Sequence, residues 1–150
     1  MADSIRNLDT YNQYHPKDVI DEVGLNTSTF NGKILDVGCG IDGLTVKYLR
    51  EMFHLPAEGI DAELITSTHY LIKRDAQIIP RPDNYYDKAF SHVSVYKKGT
   101  IIGSRALASS VGSKEEFVDI YRLLYNEMLN VTNEVLRVIK TGGDFAIWPL

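Results

Sequence analysis

An acid, three glycines and a second acid stand in an order that can hold a nucleoside. Asp36 precedes the run Gly38-x-Gly40-x-x-Gly43 within KILDVGCGIDGLT, residues 33–45, and Asp61 closes the next apolar stretch, AEGID. Glycines leave no Cβ where the backbone turns sharply, so a ligand can approach the main chain closely. The N–H groups that open the following helix lack intrahelical partners and can face that ligand. An acid at the tip of the second strand of such a unit accepts hydrogen bonds from ribose hydroxyls. The pattern points to an adenosine-containing cofactor. Read without it, Asp61 is an ordinary loop acid and Cys39 a small buried filler whose backbone alone matters.

The spacing G-x-G-x-x-G fits the dinucleotide fingerprint literally, a weak signal by itself. Asp36 argues against it, because two residues before the first glycine a nicotinamide-binding strand carries an apolar side chain that packs beneath the loop. A carboxylate there needs a partner if it is buried. It can accept hydrogen bonds from loop N–H groups, or face a cationic ligand such as the amino and sulfonium groups of S-adenosylmethionine.

ILDVGCG followed by GID resembles the first motif and the acidic second-strand motif of class I S-adenosylmethionine-dependent methyltransferases. RDAQIIPRPDNYYDKAFS is similar to the family's stretch from the adenine-contacting Asp through a Leu-Pro-like turn to the fourth strand. NEVLRVIKTGGDFAIW is similar to its helix, Lys-Pro-Gly-Gly-type turn and fifth strand, with Thr141 in the usual proline position. The resemblance covers residues 32–148, in the right order. It implies S-adenosyl-L-methionine as cofactor, with Asp36, Gly38, Cys39 and Gly40 around the methionine portion and Asp61 on the ribose. It also places Asp75 and Ala76 near the adenine, with Ala62 and Ser91 completing the set. Asp75 has a second reading, as the opening of a solvated turn.

Two departures from the family pattern carry their own expectations. The third loop glycine usually falls at position 42, where this chain has Asp42; a short acceptor there is expected to cap the helix GLTVKYLREMF. Only 13 residues separate Asp61 from Asp75, so the helix before the third strand is expected to shrink to one or two turns within residues 62–68.

The end of strand four faces the methyl group in this family and reads Ser91-His92-Val93-Ser94. His92 is the candidate general base for a hydroxyl, thiol or acidic carbon acceptor. Its other reading is a histidine hydrogen-bonded within the strand or packed under the long helix. Tyr11 and Tyr14 either fold over the cofactor or pack the first helix, and residues 97–113 form a candidate active-site loop. The strand-four end lacks the Asn/Asp-Pro-Pro-Tyr/Phe signature of amide and exocyclic-amine methylation, and no Pro-Cys dipeptide exists for attack on cytosine C5. What remains resembles the broad small-molecule branch, with Tyr85, Tyr86 and Tyr96 compatible with a planar acceptor.

Composition bounds these readings. The 150 residues support a single domain, 1–150, with 44% hydrophobic and 24% charged residues, as in an ordinary globular protein. No apolar run approaches the roughly 20 residues that span a bilayer, and the N-terminus lacks the blocks of a secretory signal. The single cysteine, Cys39, permits neither an internal disulfide nor a multi-cysteine metal site, so no metal is expected. These features favour the cytoplasm, and a net charge of −4 without a basic stripe disfavours a nucleic-acid partner.

Elements alternate as βα units of a parallel sheet must. Residues 1–31 form an N-terminal arm and a short helix with Pro16 in its first turn and Gly24 near its end. Strands are expected at about 33–37, 57–60, 70–74, 86–93 and 144–148, and a helix at 44–53. A long helical stretch, opened by the capping box at Ser113-Lys-Glu-Glu116, is read as one helix or as two broken near 130–133. With the resemblance, the fold class is an α/β Rossmann-like three-layer sandwich whose mainly parallel sheet has about five strands in the order 3-2-1-4-5. The C-terminal antiparallel hairpin of the family is missing from these 150 residues. Another copy of the chain, or a neighbouring segment, is expected to cover the strand-five edge.

The function expected is methyl transfer to a small-molecule acceptor. The alternatives are a catalytically silent S-adenosylmethionine-binding module and, further off, an NAD(P)-dependent oxidoreductase.

Overall fold

A computed structural model describes residues 15–92 and 114–148. The elements are α1 (Pro16–Glu22), β1 (Ile34–Val37), α2 (Leu44–Phe53), β2 (Ala57–Asp61), β3 (Leu71–Lys73), β4 (Tyr86–His92), α3 (Lys114–Val138) and β5 (Ile139–Trp148). Five parallel strands lie in the order β3-β2-β1-β4-β5, the Rossmann-like arrangement expected from the sequence.

The central strand shows why the sheet forms. All four residues of ILDV are buried, as a parallel strand covered on both faces requires. Alternation sends Ile34 to one face with Val19, Ile20, Val46, Leu49 and Phe90, and Leu35 and Val37 to the other with Ile60, Val135 and Val138. Helices α1 and α2 therefore cover one face, and the last turns of α3 cover the other.

Local chemistry sets the helix ends. Pro16 opens α1, the His15 ring accepts from the Lys17 amide at 3.2 Å, and Gly24, at φ 68°, follows its end. Helix α2 begins at the expected residue but not with the expected cap: Gly43, at φ 61°, holds the N-cap position and no side chain caps the helix. Asp42 lies one residue too early for that role. A Cβ on Gly43 would lie 2.4 Å from Leu71 Cδ2, so the glycine is fixed by both conformation and space.

Two further expectations are corrected, and between the one-helix and two-helix readings of the long stretch the structure decides for one. Residues 62–68 form turns, not a shortened helix. Their backbone is held by Glu63 N–H on Asp61 Oδ1 (2.8 Å), Ile65 N–H on Ile41 O (2.8 Å) and Thr68 N–H on Leu71 O (2.9 Å), while Leu64 alone anchors them in the core. One apolar anchor in a run rich in Ser, Thr and Ile favours turns over a helix. The long helix is continuous through 130–133, where the Thr132 hydroxyl donates to Met128 O within the helix and Asn130 reaches out to Gln77. Strand β5 begins five residues early, at Ile139: Tyr86 pairs with Ile139 and Lys88 with Asp144, so Thr141, Gly142 and Gly143 bulge from the ladder.

The N-terminal arm with Tyr11 and Tyr14, the 97–113 loop, Tyr96 and the Ser113 capping box lie outside the described residues. So do the side chains at 117, 120, 121 and 124. Among the described residues no helix is long and apolar enough to cross a membrane, and β5 is an edge of the sheet.

Candidate functional site

The carboxyl ends of β1, β2 and β4 meet at one edge of the sheet, where ligands bind in open α/β folds. After Val37 the chain turns through Gly38 (φ 76°) and Gly40 (φ 79°) into α2. The amides of Gly38 and Cys39 both donate to Ile60 O, at 2.8 and 3.3 Å, tying the turn to β2. Asp61 completes the tie: its Oδ2 accepts the Gly40 amide at 3.0 Å and its Oδ1 the Glu63 amide. The second-strand acid thus holds the glycine turn in shape and leaves lone pairs on both oxygens for hydroxyl donors.

Asp36 sits beneath this turn and is 4% exposed. It pairs in register with Gly59 on β2 and Phe90 on β4, so it shares the α1–α2 face with Asp61. Among the described residues its carboxylate forms no hydrogen bond and meets no cation. Among the described residues no fully sealed side-chain N or O atom lacks a partner, so the exposure that Asp36 retains lies at its carboxylate. Burial, and secondarily the Asp61 charge, push its pKa up to about 8. A buried acid with nothing to balance it is a binding group in waiting.

Cys39 packs over Gly59, where a Cβ would come within 2.7 Å of Sγ, and burial followed by the Asp36 and Asp61 charges drives its thiol pKa upward. Gly59 is a site residue that sequence reasoning passed over. Its signal was present in AEGID, where a glycine interrupts an otherwise well-filled strand.

His92 ends β4 on the same face. Its side chain is 7% exposed, and Nε2 lies 2.5 Å from Glu22 Oε2 at the end of α1. Neither sequence reading of His92 anticipated this partner, because a 70-residue separation leaves no local signal. Ser91 is fully buried, and alternation turns it to the opposite, α3-covered face. Ala62 is exposed in the turn after Asp61.

Arg74 donates its amide to Asp61 O at 3.2 Å, which brings Asp75 to the same edge. Asp75 is exposed and accepts the Gln77 amide at 2.9 Å, so it shapes its own turn; Ala76 packs against the α3-side core. Tyr85 and Tyr86 do not reach the site. Tyr86 begins β4 at the opposite edge, fully buried, with its hydroxyl donating to Glu58 Oε2 at 2.6 Å, and Lys33 Nζ lies 3.8 Å from the centre of the Tyr85 ring. Among the described residues no cluster of three or more His, Cys, Asp or Glu could hold a metal ion.

No family model matches the chain, and no curated protein does. Solved structures do match it. A Thermotoga maritima S-adenosylmethionine-dependent methyltransferase is 14% identical, with 95% of this chain and 57% of that one covered and a TM-score of 0.51. A Pyrococcus horikoshii protein is 21% identical over 91% and 58%, with a TM-score of 0.53. The [4+2]-cyclase SpnF is 20% identical over 88% and 43%, also with a TM-score of 0.53. The chain spans about half the length of the structures it matches. At these identities the likeness concerns architecture, and with the strand order and the glycine turn it supports one conclusion: the chain has the class I S-adenosylmethionine-dependent methyltransferase fold.

Proposed function

We propose that this domain binds S-adenosyl-L-methionine across the 38–43 turn and transfers its methyl group to a small-molecule acceptor. The observation that carries the reading is the pairing of a buried, unbalanced Asp36 with an Asp61 that already shapes the turn. A pyrophosphate laid on this turn would meet both acids without compensation, which disfavours the nicotinamide reading. A ligand with positive charge and ribose hydroxyls satisfies them instead.

The residues fit the cofactor. Asp36 would hold the methionine portion beside the glycine turn, whose own amides are spent on Ile60 O and Asp61; Asp61 would accept the ribose hydroxyls, and residues 75 and 76 would border the adenine. The bound sulfonium supplies an electrophilic methyl group, whose S–C bonding pair returns to sulfur as the methyl is transferred. The protein's part is to align the acceptor and take its proton. His92 is the base proposed for that proton, with Glu22 holding the imidazole in place.

A silent binding module is the second reading. It is favoured by the occupied Nε2 of His92 and by the match to a cyclase, since one fold hosts several chemistries. Calorimetric titration with S-adenosylhomocysteine, NADH and NADPH separates the cofactor classes: binding of the first alone is expected. Transfer of labelled methyl from S-adenosylmethionine to a cell extract then separates enzyme from binder. A protein that binds NADH and ignores S-adenosylhomocysteine would end the methyltransferase reading.

A further inference from the structure

Helix α3 holds the stretch between β3 and β4 through side chains that reach its backbone. Glu134 Oε1 accepts the Ile79 amide at 2.8 Å, and Arg137 donates to Ile79 O and Arg81 O, both at 3.0 Å. Both polar groups of the Ile79 backbone are therefore taken by one helix. Arg137 also grips Glu134 through Nη2 and Nε, at 2.6 and 2.9 Å, which aims the carboxylate at the amide. Asn130, one turn earlier, donates to Gln77 Oε1 at 3.1 Å. Ile79 itself is 2% exposed and lies in the same core cluster as Val135 and Val138.

The turn just before Ile79 hangs between two supports. At its front the Arg74 amide donates to Asp61 O at 3.2 Å. Within it, Asp75 accepts the Gln77 amide through Oδ1 and the Ile78 amide through its carbonyl. At its back stands Glu134. The order β3-β2-β1 sets this turn, Asp61 and the glycine turn in one row along the carboxyl edge of the sheet. A nucleoside whose ribose hydroxyls meet Asp61 and whose sulfur end lies over the glycine turn directs its base over residues 75–78. Ile78, 64% exposed, offers the base an apolar side chain to cover.

We propose that Glu134 is a positioning residue for the nucleobase: through the Ile79 amide it fixes the 75–78 turn beside Asp61, so that α3 sets the affinity for the adenosyl half of the cofactor. This rests on the cofactor reading above. Without the carboxylate, the Ile79 amide loses its acceptor and Arg137 loses the group that orients it. The turn is then held firmly only from the Asp61 side. The base has to order it on binding, and that cost is subtracted from affinity. The methionine half, beside Asp36, does not feel the change.

The test is calorimetric titration of the whole chain with S-adenosylhomocysteine and with methylthioadenosine, which keeps base and ribose but lacks the amino-acid end. Glu134→Ala should weaken both by the same factor, roughly ten-fold. Glu134→Gln, whose amide oxygen still accepts the Ile79 N–H, should restore both to within about three-fold. Urea midpoints on the same samples separate this loss from unfolding. A loss confined to S-adenosylhomocysteine, no loss in a folded variant, or no binding of methylthioadenosine by the unmodified protein would overturn the proposal while leaving the cofactor reading in place. Where Glu134→Ala does not fold, amide exchange of the unmodified protein decides: S-adenosylhomocysteine should slow exchange within residues 76–81 and 130–137 together. Protection that leaves out either stretch overturns the proposal. Binding of neither ligand would overturn the cofactor reading itself.

Discussion

His92 Nε2 and Glu22 Oε2 stand 2.5 Å apart, joining the end of the fourth strand to the end of the first helix. The contact locks an imidazole that is 7% exposed against a carboxylate that is 37% exposed. If this imidazole takes the acceptor's proton, His92→Asn should lower kcat for methyl transfer by about 10²–10⁴-fold while cofactor affinity stays within about two-fold. Loss of binding in parallel with loss of turnover would make the pair a structural clasp only.

Asp61→Ala removes the acceptor of the Gly40 amide together with the ribose-facing carboxylate. Binding of S-adenosylhomocysteine should weaken by about 1–3 kcal/mol in calorimetry. Unchanged affinity would take Asp61 out of the binding site.

Gly43→Ala places a Cβ at φ 61° and within 2.4 Å of Leu71 Cδ2. The strained backbone should cost about 1–3 kcal/mol in urea unfolding. Gly24→Ala, also at positive φ but with nothing within 4 Å of its Cβ, isolates the conformational part of that loss.

Asp36 works against the fold that carries it. Its folded pKa, about 8, lies above the ordinary 3.8. The folded chain therefore binds more protons than the unfolded one between these values, and stability falls as pH rises through that window. Asp36→Asn should be more stable than the unmodified protein, with an advantage that grows from pH 5 to 8 by at most roughly 1.4 kcal/mol per unit. Denaturant midpoints at several pH values measure it.

Arg137 ties the segment before β4 to the last turn of α3. Its guanidinium donates to Ile79 O and Arg81 O, both at 3.0 Å, and pairs with Asp83 and Glu134. Glu134, held below its ordinary 4.5 chiefly by the Arg137 hydrogen bond, contributes stability present above that value and lost as pH falls through the folded one. Arg137→Met should cost about 1–3 kcal/mol in chemical unfolding at neutral pH. It should also lessen the acid sensitivity of the protein.

The sheet was legible in the sequence because β1 and β2 are short apolar runs ended by turn signals and the family pattern supplies the strand order, whereas the start of β5 was hidden by the polar residues 140–144. The glycine turn was legible because Gly38, Gly40 and Gly43 all have positive φ, a demand that only residue type can signal. Residues 62–68 were misread: their conformation is decided by hydrogen bonds to Ile41, Asp61 and Leu71, partners chosen by the tertiary fold. Tyr85 and Tyr86 were placed near the site by residue type, and strand direction puts them at the opposite edge. The Glu22–His92 contact had no signature, since neither residue's neighbours foretell it. Cys39 was read as filler, and Gly59 beneath it explains why a side chain of that size is accepted there.

The packing of Cys39 on Gly59 gives this protein a built-in reporter. The chain carries one thiol, and it is half-buried between the turn and the second strand, packed on Gly59. Modification of that sulfur then reads how often the turn lifts away from its support, and a ligand that clamps the turn should slow the labelling without touching the sulfur at all.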